Sequence, residues 1–327
     1  MKQYIIFFSF LLTLSVSLFG NTNEQKKQVT IAISQIVEHP ALDATRAGIV
    51  DELSEFAERE GVEYRFFFES AQGQTLISSQ IAQKFAGMRP DVIVAIPTTA
   101  AQAAAAATSR NKVPVVFSSV TDPLKAGLVK SIENPGRNIT GVSNFIPAEP
   151  QIEFFKTVLP NLKSIGIVYN PSEVNSVELV NIFKESAKKY GIIVETAPAM
   201  LTTEVGLAAS ALTSKVDALF VTNDNTALSA FDSVVREGNK AGIPVFVSDV
   251  DVVERGALAA YGPNQYELGR QTAKMILKVI NGNDPAGIPV EFPDAAEIWI
   301  NLDAAKKINL TLPQEVIQNA DVVLGQS

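Results

Sequence analysis

Short runs of aliphatic and β-branched residues alternate along this chain with longer segments whose apolar positions recur at helical spacing. Val29-Thr30-Ile31-Ala32-Ile33-Ser34 is the first such run and predicts a strand buried in a parallel sheet. From Ala44 to Glu60, Ile49, Leu53 and Phe56-Ala57 fall at helical spacing, and Gly61 stands where a left-handed cap ends a helix. The alternation continues with strands over 62–68, 91–96 and 113–117 and helices over 76–85 and 100–109. The same order is then written again. Strands are predicted over 164–169, 192–195, 217–221 and 242–248, with helices over 176–190 and 204–212. Asp91 to Ala95 matches Asp217 to Val221 at an offset of 126, and Pro114 matches Pro244 at an offset of 130, so one copy carries a four-residue insertion. The expected class is α/β, with two similar lobes built on doubly wound parallel sheets.

The amino terminus breaks this rhythm. Met1-Lys2-Gln3 is a short positive start, Tyr4 to Leu18 is apolar apart from Ser and Thr, and Asn21 to Lys27 is polar. That is the layout of a secretory signal peptide, placed at residues 1–20, with an uncleaved anchor as the alternative. The expectation is an exported, periplasmic, soluble protein. The 327 residues contain no cysteine, which removes a lipobox anchor, disulfides, thiolate catalysis and cysteine-based metal sites. A single histidine, His39, argues against a histidine-rich metal centre or a histidine-dependent triad. The net charge of −8 argues against nucleic acid as a partner. No cofactor or metal is implied.

Two parallel-sheet lobes side by side leave a crevice outside the carboxyl ends of their strands, where helix amino termini also point. The residues that follow the strands are small and polar: Pro97-Thr98-Thr99, Ser118-Ser119-Val120-Thr121-Asp122, Asn170 to Ser176, Thr222 to Thr226, and Ser248-Asp249. Candidate ligand-binding residues are therefore Glu38, Thr98, Thr99, Ser118, Ser119, Asn175, Ser176, Asp224, Asn225 and Asp249. Each has a plainer reading. Thr98-Thr99 caps a helix as readily as it offers donors to a carboxylate, and the two roles are compatible. Asp224 reads equally as a helix cap or as the partner of a ligand ammonium. Asn175 and Ser176 could simply open a helix, and Glu38 and Asp122 could serve as surface charges. His39, before Pro40, is read as a loop residue, and Trp299 and most of the phenylalanines as core.

The segments Ile36 to Asp43 with Arg46-Ala47-Gly48, Pro97 to Gln102, Ser119 to Pro123, Asn170 to Ser176, Asp224-Asn225-Thr226, and Gly262 with Tyr266 to Gly269 resemble, in order, the extracytoplasmic substrate-binding proteins of ABC importers, of the tryptophan/phenylalanine type. The resemblance implies a type I periplasmic-binding-protein architecture: two Rossmann-like lobes, three crossings between them, and an amino-acid-like ligand enclosed in the cleft. It places the crossings at 139–144, 258–262 and 288–293. Residues 28–141 plus 263–288 then form lobe 1, and 142–262 plus 289–322 form lobe 2. A membrane permease is the implied protein partner. Two other classes remain open at this point. Presentation of ligand to a membrane sensor uses the same parts. An exported enzyme could use Asp122, Asp224, Asp249 and Asp251 as an acid/base set, but no phosphate loop, nucleophile elbow or metal-ligand spacing accompanies them. The reading is a binding protein and not an enzyme.

Overall fold

A computed structural model describes residues 28–325; the expected signal segment, 1–20, lies outside them. The first sheet is built from β1 (Gln28–Gln35), β2 (Glu63–Ser70), β3 (Val92–Ile96), β4 (Val115–Ser118) and β5 (Ile139–Val142), all paired in parallel. Three helices connect its strands: α1 (Pro40–Glu60), α2 (Thr75–Met88) and α3 (Thr98–Ala107). Every residue of β3 and β4 is buried, which is why those runs read as continuously apolar. At the sheet edge β2 keeps only partial cover, and its burial alternates along the strand.

The second sheet contains β6 (Ser164–Tyr169), β7 (Ile193–Pro198), β8 (Ala218–Val221), β9 (Val245–Val247) and β10 (Ala259–Gly262). Its helices are α4 (Ala148–Val158), α5 (Val174–Lys189), α6 (Thr202–Thr213), α7 (Asn225–Ser229) and α8 (Phe231–Ala241). The strand orders, β2-β1-β3-β4-β5 and β7-β6-β8-β9-β10, are the same order written twice. The repeat in the sequence is thus a repeat of topology. The second sheet is then extended by β11 (Glu297–Asn301), antiparallel to β10, and β12 (Val322–Leu324), parallel to β11. α4 and α8 were absent from the sequence reading, although α8 carries Phe231, Val234, Val235 and Gly238 as a buried face at helical spacing.

The helix α9 (Gln265–Ile280) follows β10 yet packs on α1. Gly48 and Gly269 make that crossing possible: a Cβ at Gly48 would lie 2.0 Å from the Tyr266 carbonyl oxygen, and one at Gly269 2.1 Å from that of Thr45. Arg270 adds a forked contact to Glu55, at 3.0 and 2.9 Å. The chain therefore passes between the sheets three times. It leaves after β5, returns through Pro263-Asn264, and leaves again after Glu291, which bridges Val142 of the first sheet. The first passage follows β5 within the expected stretch 139–144, the second follows β10 directly after 258–262, and the third, after Glu291, lies within 288–293. Val290 sits in the first core. Phe155, Phe183, Phe220 and Phe246 pack together in the second core, with Phe155 stacked on Phe246 at 4.2 Å. Among the described residues no helix is long and apolar enough to cross a membrane.

Candidate functional site

The carboxyl ends of the two sheets face each other across a cleft. At its centre lies a chamber of about 10 Å³, room for one small group, walled by His39, Pro97 and Ser119 on one side. Asn175, Asn223, Asn225 and Asp249 form the other wall, and Asn144 and Gln265 stand at the crossings. Three helix amino termini open onto it. The first backbone bonds inside α1, α3 and α5 are made by Asp43, Ala101 and Val177. The amides of each preceding turn have no partner within their helix, and they lend the walls a partial positive character.

Gln265 joins the two lobes. Its carbonyl oxygen accepts from the Ser119 hydroxyl at 2.8 Å and the Thr45 hydroxyl at 3.0 Å, both on the first lobe. With that oxygen occupied, the amide nitrogen donates across the cleft to Asp249 Oδ1 at 2.6 Å, and the Gln265 backbone N–H donates to Asp251 Oδ2 at 2.8 Å. Asn223 Nδ2 donates to the same Asp249 oxygen at 2.9 Å. Asp249 is 1% exposed, and no Lys or Arg lines the chamber. Burial, with Asp251 nearby, pushes its carboxyl up to about 7. A buried carboxylate without a cation is costly, and here two neutral amides alone support it.

Other polar atoms in these walls are also unpaired. His39 occupies the cap position of α1 without capping it, and neither of its ring nitrogens forms a hydrogen bond; the Asn225 amide lies alongside without completing one of ordinary geometry. Burial holds the imidazole down at about 4, so it is neutral at physiological pH. Asn175 donates from Nδ2 to the Asn223 carbonyl at 2.8 Å, while its Oδ1 is buried with no donor. Thr98 Oγ1, at the start of α3 and next to Pro97 although not itself a lining residue, is likewise buried and unpaired. Buried polar atoms are rarely left so, and a cluster of them around one chamber points to a ligand.

Other expected residues are used up within the protein. Asp224 is fully buried and caps α7: Oδ1 accepts from the Ala227 N–H at 2.7 Å, and Oδ2 from the Asn170 N–H at 2.6 Å and from the Ser176 hydroxyl. Burial and the neighbouring Glu173 raise its pKa. Neither Asp224 nor Ser176 lines the chamber. Ser118 bonds Thr272 at 2.7 Å and ties β4 to α9. Glu38 is exposed and lines neither the chamber nor the two spaces that adjoin it. Ser119, Asn175, Asn225 and Asp249 are brought together, whereas Thr99 stands one space further out. His39, Asn144, Asn223 and Gln265 were not among the expected ligand contacts. Gln265 had a signal of sorts, as the first helical residue after Gly262-Pro263-Asn264.

Two further spaces adjoin the chamber. The cleft mouth holds a cavity of about 320 Å³ between Val37, Gln74, Thr99 and Gln102 on one side and Val174, Met200, Leu201 and Thr226 on the other. Its floor includes Glu173, which accepts from the Asn225 N–H at 3.1 Å and the Thr226 hydroxyl at 2.8 Å. Behind the chamber, in the second lobe, Leu179, Phe183, Phe220 and Thr222 enclose a pocket of about 10 Å³.

A family model described as ABC transporter substrate binding protein matches residues 30–324. The chain belongs to this family. A curated relative, the tyrosine-binding protein of Clostridioides difficile (strain R20291), is 37% identical over 287 residues, 88% of this chain and 83% of that one. Among solved structures, a Streptococcus pneumonia ABC domain in complex with L-Trp matches 91% of this chain and all of its own at 36% identity, with a TM-score of 0.86. A ligand-free, open substrate-binding protein of Clostridium difficile, at 38% identity and the same coverage, gives 0.68. In this chain the lobes are joined across the cleft by the hydrogen bonds that Gln265 makes to both.

Proposed function

We propose that the protein is the extracytoplasmic solute-binding component of an ABC importer, and that it captures a free α-amino acid between its lobes for delivery to a membrane permease. The observation that carries this reading is the chamber. It has the size of one small group, and acceptors face it: Asn175 Oδ1 and the acceptor nitrogen of a neutral His39, neither with a donor, and the Asp249 carboxylate, whose Oδ1 takes two neutral amides and no cation. An ammonium has three N–H donors and a positive charge, and it answers each of them. A ligand carboxylate then lies against the amino terminus of α3, where Thr98 and Thr99 offer hydroxyls and open amides. Tyrosine and tryptophan, the ligands named for the relatives, have these two termini.

Contacts come from both lobes, so ligand favours the apposed state over the open one, as closure requires. Asp249 takes the role expected of Asp224. Titration calorimetry of refolded, ligand-free protein against the twenty amino acids tests the proposal. Saturable binding of at least one of them is expected, and binding of a sugar or polyamine with no amino acid bound below millimolar overturns it.

A further inference from the structure

We infer that Glu173 is a positioning residue: standing outside the chamber, its carboxylate turns the Asn225 side chain so that the carbonyl oxygen, and not the NH2, faces the ligand. The purpose of this orientation rests on the amino-acid reading of the chamber, whereas the orientation itself belongs to the ligand-free protein. An asparagine side chain has two ends of similar size and opposite chemistry. The neighbour that holds one end settles what the other presents. Glu173 is placed to do so. It stands at the cap position of α5, yet its side chain does not cap that helix and reaches instead to the start of α7. Oε1 accepts from the Thr226 hydroxyl at 2.8 Å, the Thr226 N–H at 3.2 Å and Asn170 Nδ2 at 3.4 Å. Oε2 accepts from Asn225 Nδ2 at 2.6 Å, the Asn225 N–H at 3.1 Å and Asn175 Nδ2 at 3.3 Å. Every partner is a neutral donor, and the shortest contact is the Asn225 amide.

A carboxylate only accepts, so the reversed Asn225 would set oxygen against oxygen at that contact. Asn225 lines both the mouth cavity, where Glu173 lies, and the chamber, where it does not. With its NH2 held on the Glu173 side, its oxygen turns to the chamber, where His39 lies alongside. The effect extends to the histidine. A neutral imidazole carries one N–H, and an acceptor beside one nitrogen keeps the proton there, which leaves the other nitrogen bare. Asn175 is held in the same sense, its Nδ2 shared between the Asn223 carbonyl and Glu173 and its Oδ1 left without a donor. The acceptors that would meet an ammonium thus take their direction from a group outside the chamber. Without it the same residues could present NH2 groups, which an ammonium cannot use.

The test reads His39, the single histidine of the chain, by nitrogen NMR of the full mature protein labelled at the imidazole. In the ligand-free wild type at pH 7 the two ring nitrogens are expected far apart in shift, as in one neutral tautomer. Glu173→Met keeps the length of the side chain and removes both oxygens, and it is expected to draw the two shifts together as the tautomers mix. Glu173→Gln, which keeps one acceptor oxygen for the amides of α7, is the gentler variant and is expected to move them in the same direction; thermal melting identifies any loss of fold. In an Asn225→Ala background neither substitution is expected to move the shifts further, because the side chain through which Glu173 acts is gone. Calorimetry is the second readout. For the amino acids that the wild type binds among the twenty, Glu173→Met is expected to weaken binding about tenfold or more. Unchanged shifts in a folded Glu173→Gln protein overturn the inference. So does an equal change in the Asn225→Ala background, which is what a general loosening of α5 and α7 would give, and so does affinity within twofold of wild type. Absence of binding by all twenty amino acids in the wild-type protein overturns the amino-acid reading instead, and the His39 shifts then decide the orientation by themselves.

Discussion

The two lobes share a topology and differ in what they present at equivalent strand ends. At the offset of 130, Ser119 after β4 corresponds to Asp249 after β9; at the offset of 126, Thr98 and Thr99 correspond to Asp224 and Asn225. The first lobe brings hydroxyls, His39 and the open amides of α1 and α3 to the cleft, and the second brings the Asp249 carboxylate, amide side chains and the open amides of α5, so that the negative charge lies on the second lobe alone. One backbone plan thus carries two polarities. A donor-rich wall suits the anionic end of an amino acid, and an acceptor-rich wall suits its cationic end. The lesson is that duplication supplied the cleft, while divergence at a few strand-end positions gave it direction.

The sharpest way to break this comparison is to remove the charge from the second lobe. Asp249→Asn is expected to cost roughly 2–5 kcal/mol of ligand affinity, because the ammonium loses its counter-charge in a buried place. Calorimetry measures it; a loss below threefold would show that the polarity lies elsewhere.

The pH dependence follows from the same group. In the apposed, ligand-free protein the Asp249 carboxyl is raised from 3.8 to about 7, so below that pH it must release a proton before it pairs with an ammonium. Affinity is expected to fall by up to about tenfold per pH unit below 7, with proton release on binding detectable in buffers of different ionisation enthalpy. The same shift acts on stability in the opposite direction. Between about 4 and 7 the folded chain holds this proton and the unfolded chain does not, so the group's contribution to stability is lost as pH rises through that range. Ligand-free Asp249→Asn should therefore melt higher than wild type at pH 8, with the difference shrinking as pH falls and vanishing below about 4.

Asp224→Ala separates the cap from the site. Its oxygens serve Ala227, Asn170 and Ser176, so the variant should lose about 1–2 kcal/mol of stability with ligand affinity little changed. Paired melting and titration check both halves, and a large affinity loss at unchanged stability would return Asp224 to the site. The smallest effect is expected on the first lobe. Ser119→Ala removes one of two hydroxyls on the Gln265 carbonyl and should weaken binding by about 1 kcal/mol, through a less firmly held Gln265.

Much of this molecule was legible from residue order. The alternation of apolar runs and amphipathic segments marked the strands of both sheets, and the strand-end rule put Ser119, Asn175, Asn225 and Asp249 among the candidates. The choice between Asp224 and Asp249 was not legible. Both are acidic residues just after a buried strand, and what distinguishes them is which of their oxygens is already taken. For Asp224 the takers are Asn170 and Ser176, about fifty residues away in sequence. His39 looked like an ordinary loop residue because its burial depends on the second lobe, whose Asn225 lies beside it. α8 escaped notice for a different reason: it is separated from α7 only by Ala230, and the two read together as one irregular stretch.

By itself, then, the sequence determined the class, the duplication and the places where a cleft could form. Those properties follow from local periodicity and from the burial that each apolar run demands. Only the tertiary structure decided which polar groups remain unpaired, that Gln265 bridges the lobes, and that α9 returns to the first lobe through the contact of Gly48 and Gly269. The physical reason is that hydrogen-bond satisfaction is an account settled between distant segments. A side chain's type states what it can donate or accept, and its neighbours in space state what is left over for a ligand.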